Sequence, residues 1–432
     1  MQQGAQEIIE KRKQYILPCI THYYEDPPEF VRGEMQYLYD NQGKKYLDCF
    51  AGVVTVNSGH CHPEIASAII RQVQTLQHTT TLYLTRPMVD LAEKLAEITP
   101  GSLQRSFICN SGTEATEGAC LLAKIHTGAH EFIALRHSFH GRSIIAMTLT
   151  GQSSWRIGGP YVFGVNFVSS AYCYRCPFGQ SYPGCDLECA KDVENIIRTS
   201  TSTRVAAMIA EPIQGNGGVI TPPPPYFKKV QEILKRYGAL LISDEVQTGF
   251  GRTGGKWFGI EQWGVEPDIL TMAKGFGNGW PIGGFIAKPE IADSIKGGQH
   301  FSTYGGNPVS SVAALANIRV IEKSNLAQNA ATVGAYFKDK LLELQQKYSL
   351  IGDVRGMGLM LGMELVKDRK TKEPAAKEMA RVMEICKDDG VLIGKGGLDG
   401  NVIRIKPPLC ITKGDVDSAA AVMDKAFAQV QK

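Results

Sequence analysis

The feature that most narrows the folds open to this chain is an alternation that begins near residue 105. Short apolar runs rich in β-branched residues are interleaved with segments of helical period: "RSFICNSGTEATEGACLLAKI", "EFIALRHSFHG", "RVAAMIAEPIQG", "KVQEILKRYGALLISDEVQTG", "DILTMAKG" and "GGFIAK". Strands buried on both faces read as such runs, and the helices between them cover the sheet they form. The expected fold is therefore α/β, a large, mainly parallel sheet with helices on both faces. "PPPP" at 222–225 predicts a rigid turn ahead of the helix "YFKKVQEILKRYG". After about residue 315 the texture changes to longer amphipathic helices and two short strands, "GLMLGMELV" and "NVIRIKPPL", which predict a second, smaller α+β domain.

Composition excludes several partner classes. Forty-six basic residues against forty-three acidic ones leave a net charge of +3 with no basic block, so neither nucleic acid nor an anionic membrane is an expected partner. Apolar runs stay short of the ~18 residues that a membrane span needs. The N-terminus, "MQQGAQEIIEKRKQY", mixes acids and bases and lacks the apolar core of a secretory signal, so the expected compartment is the cytoplasm. Eleven cysteines, an odd number and mostly single, suit reduced thiols better than a disulfide framework.

In open α/β sheets, ligands bind beyond the carboxyl ends of the strands. Four of the apolar runs end in suggestive groups. "FICNSGTEATEGA" passes through Ser111, Gly112 and Thr113 into a helix, which offers amide donors and a positive dipole end to a phosphate. The other three end in Glu211, Asp244 and Lys274. Each alone suits a cap, a turn or a surface lysine. A fifth signal misleads: "GFGRTG" matches the dinucleotide fingerprint through Gly249, Gly251 and Gly254, but no good helix and no acidic ribose ligand follow it. Pyridoxal phosphate needs all the remaining parts together: a lysine for its Schiff base, an acid for its pyridine nitrogen, and donors for its phosphate. Lys274, in an apolar, glycine-lined stretch, would then have its amine pKa depressed and its cost of burial relieved by imine formation.

Six ordered motifs, "NSGTEATEGA", "HSFHGRS", "EPIQGNGG", "LLISDEVQTGFGRTGGKW", "PDILTMAKGFGNGWPIGG" and "STYGGNP", resemble the class III pyridoxal-phosphate aminotransferases. So does the N-terminal stretch "YLYDNQGKKYLDCFAGVVTVNSGHCHP". The resemblance implies fold-type I, with residues 1–50 joining the small domain, a large cofactor domain over 51–315 and a small domain over 316–432. It implies that Lys274 carries the cofactor and then moves the substrate proton, and that Asp244 faces the pyridine nitrogen. Val246 and Phe139 would flank the ring, with His140 beside it and Gln247 near the phenolic oxygen. Ser111, Gly112 and Thr113 would hold the phosphate, and Thr303 would reach the phosphate of a neighbouring subunit, so a homodimer with shared sites, and possible pairing into tetramers, is implied.

By the same resemblance Arg404 grips the substrate α-carboxylate, and Glu211 pairs with it when a substrate lacks one. The reaction implied is a ping-pong transfer from an amino donor to a small 2-oxo acid. Where ornithine-using relatives have a tyrosine this chain has Val53, and a small apolar pocket bounded by Val53 and Tyr83 is expected. The texture is closest to the alanine–glyoxylate type 2 and ω-amino acid–pyruvate branch, with 4-aminobutyrate or amine–pyruvate exchange as alternative and a non-catalytic relative as the contrasting class. Finally, Cys173, Cys176, Cys185 and Cys189 have a zinc-like spacing, against which the loop between the pairs is short; reduced thiols and a structural zinc both remain open, and the chemistry needs no metal.

Overall fold

The computed structural model describes residues 3–159 and 161–431. The apolar runs assemble into a seven-stranded sheet in the order Arg105–Cys109, Gly283–Ala287, Ile269–Met272, Leu240–Asp244, Val205–Ala210, Glu131–Leu135, Val165–Val168. From Ile269–Met272 onward the strands pair in parallel. Gly283–Ala287 runs antiparallel to both its neighbours. Val205–Ala210, Ile269–Met272 and Gly283–Ala287 are buried along their whole length, which is why their sequences show no polar alternation.

Successive strand residues point to opposite faces, and each face has its own cluster. Ile133, Leu135 and Met208 meet Val193, Ile197, Phe227 and Ile233 of the helices Glu188–Ser200 and Tyr226–Arg236. Phe132, Ala134 and Ile209 meet Ala119 and Leu122 of the helix Gly112–Thr127 on the other side. The proline run serves as the expected turn: Pro225 caps the helix Tyr226–Arg236, and Trp263 Nε1 donates to the Pro223 carbonyl at 3.1 Å.

The later residues form an antiparallel sheet, Ile351–Met357, Met360–Leu365, Val402–Ile405 and Gly394–Gly396. Phe337, Met379 and Phe427 pack in its cluster from the helices Leu326–Lys347, Ala376–Asp388 and Lys413–Val430. The N-terminal strands Phe30–Glu34, Tyr37–Asp40 and Lys45–Asp48 form another sheet, completed in parallel by Val391–Leu392. The expected division between residues 315 and 316 falls inside the helix Pro308–Lys323, where Ala314, Leu315 and Ile318 form one continuous buried face. That helix packs on Pro63–Thr75 and Arg86–Ile98. Parallel strands bring residues 136–141, 211–215 and 244–247 and Lys274 to one edge, and the start of the helix Gly112–Thr127 lies beside them.

Candidate active site

A cavity of about 310 Å³ opens at that edge, and Ser111, Gly112, Thr113, Phe139, His140, Asp244, Val246 and Lys274 all line it. Ser111 caps the helix Gly112–Thr127, its hydroxyl accepting from the Glu114 amide at 3.4 Å. The amides of Gly112 and Thr113, in the first turn, have no intrahelical acceptor and carry the positive end of the dipole. The Thr113 hydroxyl is already committed. It accepts from the amides of Arg142 and Ser143 at 3.1 and 3.0 Å, which ties the 139–143 loop to the helix start.

Asp244 is buried at the end of its strand, with Oδ2 2.6 Å from His140 Nδ1 and Oδ1 accepting from the Val246 amide at 3.1 Å. The Nε2 of His140 is buried without a partner. Lys274 has φ of +47°, a left-handed conformation that costs a side-chain-bearing residue about 1–3 kcal/mol. Its amine has no hydrogen-bond or ion-pair partner among the described residues. Burial lowers its pKa from the ordinary 10.5, and Asp244 and Glu211 only partly oppose this.

A second cavity, of about 560 Å³, shares Lys274 and Phe139 with the first and is bounded by Tyr23, Val53, Trp155, Gln247 and Arg404. Arg404 is 3% exposed, its guanidinium 5.0 Å from the Phe50 ring and its Nε without a partner. Its seat depends on Gly396, where a Cβ would stand 2.7 Å from Arg404 Cδ. Gln247 accepts on Oε1 from Lys406 Nζ at 2.8 Å. Val53 lies in a left-handed turn, Ala51 to Val54 all having φ between 49° and 63°. Asp48 braces this turn, its Oδ1 accepting from the Phe50 and Ala51 amides at 2.8 Å.

The other expected substrate-side residues lie as follows. Glu211 and Arg404 form no ion pair among the described residues, because the Glu211 oxygens accept from the amides of Phe139 and Gly215 at 2.9 and 2.8 Å. Burial raises the Glu211 pKa. The second cavity is neither small nor purely apolar, since Gln152, Asn216, Lys395 and Asp399 also bound it. Tyr83 lies outside both cavities and is 68% exposed, and Thr303 is likewise exposed and outside them. Both belong to segments that meet each other at the surface, through the rings of His78 and Tyr304 at 5.5 Å.

The four clustered cysteines line one narrow cavity as free thiols, and no group of metal-holding side chains occurs among the described residues. "GFGRTG" is a packing loop: Gly251 and Gly254 lie against Ala327 and Ala331, and the buried Arg252 donates to the Leu359 carbonyl at 3.0 Å and Asn57 Oδ1 at 2.6 Å. Sequence reasoning missed Tyr23, Trp155 and Lys406. For Lys406 a signal existed: in "RIKPP" it stands two residues from Arg404, on the same side of an extended chain.

The sequence pattern described as "Aminotransferase class-III" spans residues 24–427. This chain belongs to the class III aminotransferases. It is 46% identical over 427 residues to alanine–glyoxylate aminotransferase 2 homolog 2, mitochondrial, of Arabidopsis thaliana, covering 99% of this chain and 88% of that one. The human alanine–glyoxylate aminotransferase 2, mitochondrial, is 38% identical over 446 residues, covering 99% and 87%. Both names put those relatives in mitochondria, a compartment that the cytoplasmic expectation does not share. An amine transaminase from an uncultivated Pseudomonas species, solved with pyridoxal phosphate bound, superposes with a TM-score of 0.89 at 32% identity, covering 96% of this chain and 98% of that one. The fold is therefore that of fold-type I, and no helix among the described residues is long and apolar enough to cross a membrane.

The cofactor of this family is pyridoxal 5′-phosphate, and the residues present fit it. The first cavity offers uncommitted amides at a helix start, an unpartnered amine of lowered pKa, and a buried carboxylate braced by histidine. A Cβ on Gly112 would stand 3.3 Å from the Val246 side chain, so a glycine keeps this wall open.

Proposed function

We propose that this class III aminotransferase moves the amino group of alanine, or of an ω- or β-amino acid or amine, to a small 2-oxo acid such as pyruvate or glyoxylate. The observation that carries the reading is Lys274 standing at the junction of two cavities, one with a phosphate cradle and Asp244, the other with Arg404. Bound in the first cavity, pyridoxal phosphate would supply the carbonyl that accepts nitrogen and a sink for the electrons left at the substrate α-carbon. Ser111, Gly112 and Thr113 hold its phosphate; Phe139 and Val246 enclose its ring; Asp244, fixed by His140, keeps the pyridine nitrogen protonated. Arg404 takes the α-carboxylate in a bidentate grip, which turns the α-hydrogen toward Lys274. The Lys274 amine takes that proton and later returns one, a role that its lowered pKa suits.

The free Nε of Arg404 and the commitment of Glu211 to two backbone amides favour donors and acceptors that bear an α-carboxylate. The 4-aminobutyrate or amine–pyruvate reading needs Glu211 to leave those amides for Arg404. The homodimer belongs to this proposal. Thr303 and Tyr83 lie on a surface that also exposes Leu82, Leu84, Phe301 and Tyr304, as a face covered by a second copy would. The experiment is a donor panel, read by bleaching of the visible band of the loaded protein, with pyruvate, glyoxylate and 2-oxoglutarate as acceptors. Bleaching by L-alanine and restoration by glyoxylate support the assignment. A band that alanine leaves unchanged while other amines bleach it refutes the donor.

A further inference from the structure

Lys406 is a buried amine that neither the phosphate cradle nor the carboxylate grip uses. Its side chain is fully removed from solvent, and its backbone is fixed by a 2.7 Å bond from its amide to the Cys49 carbonyl and by the two prolines that follow. No carboxylate forms an ion pair with it among the described residues, and its Nζ hydrogen bond is to Gln247 Oε1 at 2.8 Å. Burial pushes its pKa well down; Arg404, Lys274 and Arg252 repel its charge, and Glu211 alone offsets them. An amine in that position weakens the fold, and a methionine would fill the space without the electrostatic cost.

What the amine provides is direction. A carboxamide has a donor end and an acceptor end of nearly the same shape, so packing alone orients it poorly. A donor against Oε1 turns Nε2 to the opposite side, and Gln247 borders the cavity shared by Lys274 and Arg404. We propose that Lys406 is a positioning residue: it locks the Gln247 carboxamide with Nε2 presented to the phenolic oxygen of the coenzyme. The inference rests on the proposed function and on the family resemblance, which puts Gln247 near that oxygen. Lys406 itself touches neither coenzyme nor substrate.

The test compares wild type, Lys406→Met, Lys406→Gln, Gln247→Ala and the double variant Lys406→Met/Gln247→Ala. Three quantities are read: coenzyme retention on dilution, the midpoint of the visible absorbance in a pH titration of the loaded protein, and melting of the coenzyme-free protein. Lys406→Met is expected to lose coenzyme about tenfold faster, the lower end for a partner that orients a ligand, and to shift the absorbance midpoint. Lys406→Gln keeps a donor and should retain most of both properties. In the Gln247→Ala background Lys406→Met should add nothing, the sign of an effect that passes through Gln247. Coenzyme-free Lys406→Met should melt no lower than wild type, as replacement of a poorly solvated buried amine by an apolar side chain requires. Wild-type retention and midpoint in Lys406→Met overturn the proposal, as does an equal effect with and without Gln247 or a coenzyme-free variant that melts well below wild type. A wild-type protein with no visible band overturns the proposed function, and this inference with it.

Discussion

Replacing Arg404 by glutamine separates donors by whether they carry a carboxylate. The side chain is 3% exposed, so water does not take over its hydrogen bonds, and its Nε has no protein partner to compete for it. A charge-assisted hydrogen bond contributes about 1.5–3 kcal/mol, and a bidentate pair roughly 3–5 kcal/mol. At about 1.4 kcal/mol per factor of ten, kcat/KM for L-alanine should fall by roughly 10²-fold to a few thousand-fold. A primary amine without a carboxylate makes no such bonds and should lose less than about threefold. Arg404→Lys should lie between, because a lysine keeps the charge but not the planar fork. The assay is steady-state kinetics with glyoxylate as acceptor, for alanine and for the amine, with circular dichroism to verify folding. Equal losses for the two donors, or an unchanged value for alanine, refute the reasoning.

Three further outcomes follow from the geometry. Gly396→Ala places a methyl where Arg404 Cδ stands, 2.7 Å away, so it should weaken alanine as a donor by about tenfold or more while a carboxylate-free amine is spared; kinetics of both donors checks this. In coenzyme-free protein the pKa of Lys274 is lowered from 10.5, so the unfolded amine binds a proton that the folded site resists, and stability falls as pH drops below about 10.5. Lys274→Met should flatten urea-midpoint stability against pH in that window, and curves parallel to wild type would contradict it. Glu245 accepts from the hydroxyls of Ser243 and Thr248 and the amides of Gly259 and Ile260, so Glu245→Gln turns an amide donor onto buried donors and should cost about 1–3 kcal/mol in urea unfolding.

The strands and their order of function were legible because a two-sided sheet writes itself as apolar runs, and because chemistry collects at their ends. Lys274, Asp244 and the Ser111–Thr113 turn were readable for that reason. The second cavity was less so. Its walls come from Tyr23, Val53, Trp155 and Lys395, which lie far apart in sequence and carry no shared period. The seating of Glu211 on backbone amides at 139 and 215 was hidden as well, since amide donors are the same for nearly every residue. The segments holding Tyr83 and Thr303 are exposed in the single chain, so the role the resemblance implies for them would depend on a surface that one sequence read alone does not display. The left-handed turn at 51–54 had no signal beyond Gly52, because valine at positive φ runs against local preference.

The central claim is that the amine of Lys274 holds the coenzyme. Borohydride reduction of the loaded protein, followed by proteolysis and mass mapping, tests it directly. The account predicts a pyridoxyl adduct on the peptide carrying Lys274 and none in Lys274→Met. A fully loaded wild-type protein whose Lys274 peptide emerges unmodified, with the adduct elsewhere or absent, would contradict it.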